Sequence, residues 1–375
     1  MTFDSEIDRR HLARAIELAT HGRGQVSPNP LVGAVIARDR ETIAEGFHGF
    51  VGGPHAEVEA ITAAAGRDLH DATLYISLEP CCHQGRTPPC TDAILEAGFA
   101  RVVVGGDDPS SKASGRGLGI LRDEGVEVDI AGGELATRAR LQNQAFRKHA
   151  RTGRPLVVFK SAMSLDGKVA TQGGDSKWIS SEGSRAVAHR WRASLDAVAV
   201  GIGTALADDP QLTARIDDVH HQPRRVVFDS TARLPLDSKL VSEAPEVPLV
   251  LVASRAAPRG GTDALETAGA EVIVATGQNE PARVLSALDQ LGALDPPVTS
   301  ILLEGGPHLA GSFMDAGEID ELRLFVAPLV LGGRTARDPL EGEGVDRVSD
   351  ALRALTLKCE PLAGDVLITA RLKEW

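Results

Sequence analysis

Residues 54–90 read PHAEVEAITAAAGRDLHDATLYISLEPCCHQGRTPPC and carry, in order, a helix pattern, a strand pattern and three cysteines. Pro54 to Ala65 predicts a helix that proline opens and Gly66 stops. Thr73 to Leu78 is apolar and rich in β-forming residues, which predicts a short strand. A helix followed directly by a strand is typical of α/β proteins.

The same alternation continues on both sides of this stretch. Helical spacing of apolar residues predicts helices at Ile7–His21, Thr91–Gly98 and Glu134–Ala150. Short apolar runs between turn residues predict strands at Leu31–Ala37, Thr42–Phe47, Arg101–Gly105 and Val126–Ile130. We therefore expect an α/β/α domain with a mostly parallel sheet covered by helices.

A second α/β series follows the polar stretch RTGRP at residues 151–155. Its strands are predicted at Leu156–Lys160, Ala197–Val200, Arg225–Asp229, Leu249–Ala253, Glu271–Ala275, Ser300–Glu304, Glu321–Ala327 and Val366–Leu372, and its helices at Glu182–Leu195, Pro281–Leu291 and Pro307–Ala316. A short polar segment with Gly and Pro is typical of a domain boundary. We predict two α/β domains, residues 1–150 and 151–375.

Composition excludes several classes of protein. The 375 residues are 42% hydrophobic and 25% charged, as in an ordinary globular protein, and no apolar run is long enough to cross a membrane. The net charge of −12 and the 3% aromatic content argue against nucleic-acid binding. The N-terminus has no secretory signal, and the clustered cysteines favour metal binding over disulfides, which predicts a cytoplasmic protein.

His55, Cys81 and Cys90 have the residue types and order of a catalytic zinc site, in which three protein ligands leave one position open for water. Glu57, two residues after His55, can accept a proton from that water and pass it to a leaving amine. Nucleobase deaminases share this H-x-E…P-C pattern. A closed structural zinc site with His83 as fourth ligand is the alternative, but it would have no use for Glu57.

The second half of the zinc motif is longer than the usual P-C-x-x-C, because eight residues separate Cys81 from Cys90. With EPC, GRTPPC and the turn Pro28-Asn29-Pro30, this form resembles the deaminase domain of the bifunctional riboflavin-biosynthesis enzymes. The resemblance implies a cytidine-deaminase-like fold, Zn²⁺ on His55, Cys81 and Cys90, and Glu57 as the catalytic proton shuttle. It also implies substrate contacts from Asn29, His48, His83 and Arg86. Cys82 is expected to be a bystander.

The C-terminal half contains GIGTAL at residues 201–206, a weak dinucleotide fingerprint because it ends in Leu. Glu304–Ser312, EGGPHLAGS, is a better phosphate-binding candidate, since glycines admit a ligand and Pro307 opens a helix. By itself this is no more than a strand-to-helix turn.

KSAMSLDGK from Lys160, SKWI from Ser176 and the GT…ADDPQLT run at residues 203–213 resemble the reductase domain of the same family. The resemblance implies a dihydrofolate-reductase-like fold and NADPH as cofactor. It places near the cofactor Ala162, Trp178, Thr204, Asp208, Ser230, Gly306, Pro307, His308, Leu309, Ala310, Gly311 and Ser312. It places near the substrate Ser176, Arg192, Leu212, Arg215 and Glu304, with Lys160 as the catalytic residue beside the reacting sugar.

Together the resemblances imply a bifunctional enzyme that deaminates a pyrimidinone ribosyl phosphate and then reduces its ribose, as a homodimer or homotetramer. One alternative is a zinc deaminase for a nucleobase or nucleoside, whose C-terminal half is a non-catalytic binding domain. Another is a structural zinc protein. Nicotinamide binding would exclude the first, and a catalytic role of Glu57 the second.

Overall fold

The computed structural model describes residues 6–85, 88–217 and 219–375. Its chain forms two compact units, one of residues 1–152 together with Trp375 and one of residues 153–374. Each unit is an α/β structure with its own sheet and its own hydrophobic core. None of the helices in the described part of the chain has the length and apolar character that a membrane span requires.

The first unit has five strands: β1 (Gly33–Arg38), β2 (Glu41–Phe47), β3 (Thr73–Ile76), β4 (Arg101–Val104) and β5 (Glu127–Ile130). Its helices are α1 (Glu6–Ala19), α2 (Ala56–Ala63), α3 (Cys90–Ala97), α4 (Arg116–Asp123), α5 (Gly133–Gln142) and α6 (Gln144–Thr152). The strands lie in the order β2-β1-β3-β4-β5. β3, β4 and β5 are parallel, whereas β1 is antiparallel to β2 and β3.

Helices cover both faces of this sheet because successive residues of each central strand point to opposite sides. In β3, Leu74 and Ile76 join the core under α2, α3 and α4, whereas Tyr75 joins the core under α1 and α5. The layer order is the expected α/β/α. The structure corrects the single helix predicted over Glu134–Ala150. The Asn143 side chain hydrogen-bonds both backbone groups of Leu31, at 2.8 and 2.9 Å, and the helix breaks there into α5 and α6.

The second unit has nine strands: β6 (Leu156–Met163), β7 (Ala197–Gly201), β8 (Arg224–Phe228), β9 (Leu249–Ser254), β10 (Glu271–Ala275), β11 (Ser300–Leu303), β12 (Glu321–Val326), β13 (Thr356–Leu362) and β14 (Asp365–Arg371). Its helices are α7 (Glu182–Ser194), α8 (Ile202–Asp208), α9 (Lys239–Ser242), α10 (Arg259–Thr267), α11 (Glu280–Gly292) and α12 (Pro307–Asp315).

One mixed sheet holds these strands in the order β10-β9-β8-β7-β11-β6-β12-β14-β13. The strands from β10 to β12 run parallel, and β14 and β13 add an antiparallel hairpin at one edge. The chain moves outward from β7 to β10 and then returns, placing β11 between β7 and β6. Ligands of open α/β sheets bind at the carboxyl ends of strands where the order reverses in this way.

Candidate active sites of the two units

Two helix N-termini and one loop build the zinc site of the first unit. His55 is the N-cap residue of α2, Cys90 is the first residue of α3, and Cys81 lies in the segment that follows β3. Gly46 of β2 allows α2 to approach closely, since a Cβ there would lie 2.4 Å from the Ala60 nitrogen. The close contact fixes the first turn of α2, and with it His55 and Glu57.

The three predicted ligands lie together. The His55 Nδ1 atom is 3.2 Å from the Cys90 sulfur and 3.5 Å from the Cys81 sulfur. All three ligand atoms lie within 4.8 Å of one another. A tetrahedral zinc ion about 2.0 Å from nitrogen and about 2.3 Å from sulfur needs N···S separations of roughly 3.5 Å. The residues therefore fit zinc in both geometry and donor type.

The acid–base character of this cluster follows from its burial and from its hydrogen bonds. A hydrogen bond from Cys90 lowers the pKa of Cys81 to about 4, and donating it raises the pKa of Cys90. Glu57 is 3% exposed, and burial, together with the charge of Cys81, raises its pKa to about 7. A bound cation would act in the opposite direction. Glu57 is therefore a buried carboxyl group beside the metal ligands that can carry a proton.

Asn29 and His48 lie next to the ligand set. The Asn29 amide nitrogen is 3.1 Å from His48 Nε2, and His48 Nδ1 is 2.9 Å from the Pro54 carbonyl, to which it donates. The His48 ring packs edge-on against that of His55 at 5.2 Å. Burial lowers the pKa of His48, which favours the neutral form of the ring. The pair is thus an oriented polar surface beside the ligands.

Two predicted deaminase contacts remain, and the structure describes only one of them, His83. His83 is half-buried, and its Nδ1 atom is buried without a hydrogen bond among the described residues. Arg86 lies outside the described residues.

Glu79 is a site residue that the motif analysis missed. Its buried carboxylate accepts the backbone N–H groups of Asp108 and Gly115, at 3.3 and 3.1 Å. It therefore holds the loop of residues 108–115 beside the Cys81 segment, where Cys82 contacts the Lys112 carbonyl at 3.7 Å. The signal was present in the sequence, since a charged residue directly before the Pro-Cys ligand pair is costly to bury without partners.

Strand register builds the polar centre of the second unit. β6 and β11 pair in parallel with Phe159 opposite Leu303, which places Lys160 beside Glu304. The Lys160 ammonium lies 3.6 Å from the Glu304 carboxylate, and Arg192 of α7 binds the same carboxylate with two hydrogen bonds of 2.5 and 2.9 Å. Burial alone would raise the pKa of Glu304, but the charges of Arg192 and Lys160 hold it at about 2.

Arg215 lies beside this cluster and contacts His189, a residue that no sequence motif indicated. His189 of α7 is 3.3 Å from the Arg215 backbone nitrogen through Nδ1 and 3.1 Å from its guanidinium through Nε2. Burial, with the charges of Arg192 and Arg215, lowers the pKa of His189 to about 4. The neutral ring thus supports the arginine. A lone histidine on a helix carries no motif, so sequence offered no signal for it.

A backbone cradle lies where β7 and β11 are neighbours. A Cβ on Gly305 would lie 3.2 Å from the Thr204 hydroxyl, and Gly306, at φ +78°, is the N-cap of α12. Glycine at both positions leaves the backbone N–H groups open to a ligand at the carboxyl edge of the sheet. The arrangement fits the pyrophosphate of a dinucleotide such as NADPH.

The predicted cofactor segment of residues 306–312 covers the N-cap and the first turns of α12. α12 begins at Pro307, as the sequence pattern predicts, so residues 307–312 are helical. Ala310, Gly311 and Ser312 lie on its buried face, and the Ser312 hydroxyl donates to Glu280 at 2.8 Å. Gly306, Pro307, His308 and Leu309 remain in the first turn, where a ligand can reach them. The periodicity of the helix buries Ala310, Gly311 and Ser312, and a linear motif does not show which side of a helix is buried.

The other predicted reductase contacts are spread around the same edge. Leu212 is 3% exposed and packs in the core, so a ligand can reach only its backbone. Trp178 is 73% exposed, with the Arg185 guanidinium 4.4 Å from its ring centre. Ala162 is half-buried beside the Phe325 cluster, whereas three other predicted contacts are exposed: Ser176, Asp208 and Ser230.

Comparison with known proteins matches each unit to a family. Residues 5–106 match the cytidine and deoxycytidylate deaminase zinc-binding region, and residues 155–368 match the RibD C-terminal domain. Fold and site thus define a protein that joins a zinc-deaminase region to a RibD-type reductase domain.

Full-length relatives carry the comparison further. The riboflavin biosynthesis protein RibD of Actinobacillus pleuropneumoniae is 38% identical over 98% of this chain and 96% of its own length. RibD of Escherichia coli is 36% identical over 92% of this chain and 94% of its own length. The chain belongs to the RibD family.

Solved structures agree with this assignment. A diaminohydroxyphosphoribosylaminopyrimidine deaminase/5-amino-6-(5-phosphoribosylamino)uracil reductase from Thermotoga maritima superposes with a TM-score of 0.83 at 35% identity, covering 98% of this chain and 99% of its own. Acinetobacter baumannii RibD gives the same TM-score and identity, covering 98% of this chain and 100% of its own. The mixed α/β fold with two sheets is therefore that of RibD structures.

Proposed function

We propose that this chain catalyses two consecutive steps of riboflavin biosynthesis. The first is hydrolytic deamination of 2,5-diamino-6-ribosylamino-4(3H)-pyrimidinone 5′-phosphate. The second is NADPH-dependent reduction of the ribosyl group to give 5-amino-6-(5-phospho-D-ribitylamino)uracil. The observation that carries the proposal is the set of His55, Cys81 and Cys90 at zinc-ligand spacing beside buried Glu57, in a chain whose RibD relatives match it over nearly its whole length.

In the first unit, zinc when bound would supply the Lewis acidity that makes a water nucleophilic near neutral pH. Glu57 takes the proton of the attacking water on its carboxylate and delivers it to the ring amino group, which leaves as ammonia. Its burial beside the ligand set supports this role, because a carboxyl group shielded from bulk water exchanges its proton with the attacking water and the leaving amine. Asn29, His48, His83 and Arg86 hold the pyrimidine and its sugar phosphate.

In the second unit, NADPH when bound would supply the hydride that reduces the opened sugar at C1′. Lys160 faces the reacting sugar, and Glu304, 3.6 Å from its ammonium, holds it in position. Arg192 and Arg215 hold the substrate phosphate as fixed charges, with Ser176 and the Leu212 backbone beside them. The cofactor lies against Ala162, Trp178, Thr204, Asp208, Ser230 and residues 306–312.

The comparisons do not favour the alternative of a nucleobase deaminase with a non-catalytic C-terminal domain. The RibD C-terminal domain matches residues 155–368, which include the Lys160–Glu304–Arg192 cluster. A buried carboxylate that binds two cations at the carboxyl edge of a parallel sheet is costly unless the site uses the charge.

We also propose that the chain forms a homodimer or homotetramer through the second unit. β13 is the edge strand of the nine-stranded sheet, and most of its side chains are exposed on both faces. Five large apolar side chains on or just before it are more than half exposed: Val345, Val348, Leu352, Leu355 and Leu357. An exposed apolar edge of this kind is the usual mark of an interface.

The experiment uses purified, zinc-loaded protein with the diaminopyrimidinone ribosyl phosphate, and follows ammonia release and NADPH oxidation together. Glu57→Gln should lower ammonia release by about 10²–10⁴-fold, the usual contribution of a general acid–base group, while zinc content stays the same. NADPH oxidation by this variant should return when the deaminated intermediate is supplied. Glu59→Gln, two residues further along α2, is the matched control and should keep both activities.

Each activity can fail separately. Ammonia release without NADPH oxidation, even with the intermediate supplied, would contradict the reductase half of the proposal. Full deaminase activity in Glu57→Gln would contradict the proton-shuttle role. Neither activity in a protein that holds zinc firmly would favour a structural metal site.

A further inference from the structure

The carboxyl ends of β8 and β9 carry a polar surface that neither the motifs nor the proposed mechanism uses. β8 is followed by Asp229-Ser230-Thr231-Ala232-Arg233, and β9 ends at Ser254 and is followed by Arg255. The Ser254 hydroxyl donates to the Ser230 carbonyl at 2.7 Å, so the two strand ends are directly joined. We call residues 229–233 and 254–259 the β8–β9 rim.

The acidic residue of this rim, Asp229, binds neighbouring groups of the protein. Asp229 is fully buried, and its Oδ2 atom accepts the backbone N–H groups of Arg233 and of Leu234, the latter at 2.9 Å. Its Oδ1 atom lies 3.4 Å from the Arg233 guanidinium. Enzymes that prefer NADH commonly use an acidic residue at such a strand end to bind the ribose hydroxyls of the adenosine. Asp229 has no oxygen free for that purpose, and it is the only carboxylate in the rim sequences DSTAR and SRAAPR.

Arg233 pairs with Asp229, but the other two basic residues of the rim are placed differently. Arg255 is exposed, and no hydrogen bond or ion pair joins it to another described residue. Arg259, the first residue of α10, is likewise exposed, and its guanidinium has no hydrogen bond or ion pair within the described part of the chain. The first turn of α10 abuts the loop after β8, since a Cβ on Gly261 would lie 3.3 Å from the Ala232 side chain. Both arginines therefore flank Ser230, an exposed side chain predicted to contact the cofactor.

Strand order relates this rim to the glycine cradle. β7, which carries Thr204 after its end, is followed across the sheet by β8 and then β9, and Gly201, Phe228 and Val252 lie in register. Neighbouring strands are about 4.8 Å apart. The β8 part of the rim is therefore one strand spacing from β7 and the cradle, and the β9 part is two strand spacings away. A dinucleotide whose pyrophosphate lies in the cradle reaches this rim with its adenosine half.

We propose that Arg255 determines the preference of the reductase for NADPH over NADH by pairing with the 2′-phosphate of the adenosine ribose. The inference rests on the proposed function of the second unit and names the group on the cofactor that the β8–β9 rim recognises. An unpaired guanidinium matches a phosphate in charge and in hydrogen-bonding geometry, whereas NADH offers it only a hydroxyl. Arg259 adds positive charge, and Ser230 adds a hydroxyl.

Two measurements test this on the full-length protein. In the first, calorimetry compares adenosine 2′,5′-bisphosphate with 5′-AMP, which lacks the 2′-phosphate. The wild type should bind the bisphosphate roughly 10- to 100-fold more tightly, as expected for a charge-assisted contact, and Arg255→Gln should remove most of that difference. Arg255→Lys should keep part of it. Arg224→Gln, at the amino end of β8 and so at the far end of the strand from the rim, is the matched control.

In the second measurement, Arg255→Gln should raise the KM for NADPH by a similar factor and leave kcat and the KM for NADH unchanged. Equal binding of the bisphosphate and 5′-AMP by the wild type would overturn the inference whether or not the reductase is active. So would an Arg255→Gln variant that retains the full preference for the bisphosphate. If the wild type prefers the bisphosphate but does not reduce the deaminated substrate, the proposed reductase function is contradicted. The assignment of Arg255 to the 2′-phosphate is then still supported.

Discussion

Cys81 and Cys82 are adjacent in the chain, yet their sulfur atoms lie in different surroundings. The Cys81 sulfur lies 3.5 Å from His55 Nδ1 and accepts the Cys90 N–H at 3.4 Å, whereas the Cys82 thiol donates to the Lys112 carbonyl at 3.7 Å. Successive residues of an extended segment point to opposite sides, so one of two neighbouring cysteines is turned away from the metal.

This difference predicts opposite behaviour of two otherwise similar variants. Cys81→Ser removes a thiolate ligand and should weaken zinc binding by at least 10²-fold, because a serine hydroxyl is a poor zinc ligand at neutral pH. Cys82→Ser should keep one zinc ion per chain. Zinc content by mass spectrometry and competition with a chromophoric chelator would measure both. Zinc loss in Cys82→Ser with retention in Cys81→Ser would reverse the ligand assignment.

His189 predicts a pH dependence of the stability of the second unit. Its pKa of about 4 in the folded chain lies below the ordinary value of about 6.5, so the unfolded chain binds a proton first as the pH falls. The unfolding free energy therefore keeps its full contribution from neutral His189 above about pH 6.5, and this contribution is lost as the pH falls towards 4. With allowance for solvent screening, it amounts to roughly 1–2 kcal/mol.

His189→Gln should flatten the dependence of unfolding free energy on pH between about 6.5 and 4. Urea denaturation at several pH values measures this slope, and the same substitution at exposed His221 is the control. An unchanged slope in His189→Gln would show that the imidazole is not held neutral by its neighbours.

At the scale of elements, packing sets the limits of α12. A Cβ on Gly311 would lie 1.2 Å from the Glu341 carbonyl oxygen, so only glycine allows the segment at residue 341 to lie against this helix. The same packing places the buried side of α12 away from any ligand and leaves its first turn at the cradle.

Gly311→Ala should therefore destabilise the second unit by about 1–3 kcal/mol or more, because backbone must move to admit the methyl group. Gly260→Ala in α10 is the matched control, since nothing lies within 4 Å of the added carbon. It should be neutral or stabilise by up to about 1 kcal/mol. Thermal denaturation measures both, and equal melting temperatures for the two variants would contradict the packing argument.

Two of the helices that sequence patterns missed, α4 and α10, share a physical reason. α4 contains Gly117 and Gly119, and α10 contains Gly260 and Gly261, and glycine weakens the helical signal in both. Tertiary contacts stabilise these helices where propensity does not. β13 was missed because it contains Pro361 and has no alternation between buried and exposed faces.

At the scale of the whole molecule, the two edges of the nine-stranded sheet differ. β10 forms one edge, where Val274 is 41% exposed, and β13 forms the other, where Leu357 is 68% exposed beside other apolar side chains. An exposed apolar edge strand associates with another chain unless it is covered.

We expect Leu357→Glu to shift the protein towards monomer at micromolar concentration, because a buried charge opposes association. Val274→Glu, at the opposite edge, should leave the oligomer unchanged. Light scattering coupled to size exclusion gives the mass of each. A wild type that is monomeric at high concentration would contradict the proposed interface, and so would an unchanged oligomer in Leu357→Glu.

Local features could be read from the chain because short-range chemistry dictates them. The zinc trio, Glu57 and the alternation of helix and strand depend on residue type and on spacing within short stretches. The polar centre around Glu304 is different. Lys160, Arg192 and Glu304 meet because β11 enters the sheet between β7 and β6, and no local pattern encodes that order. The contact of His189 with Arg215 and the buried face of α12 likewise depend on packing between segments distant in sequence.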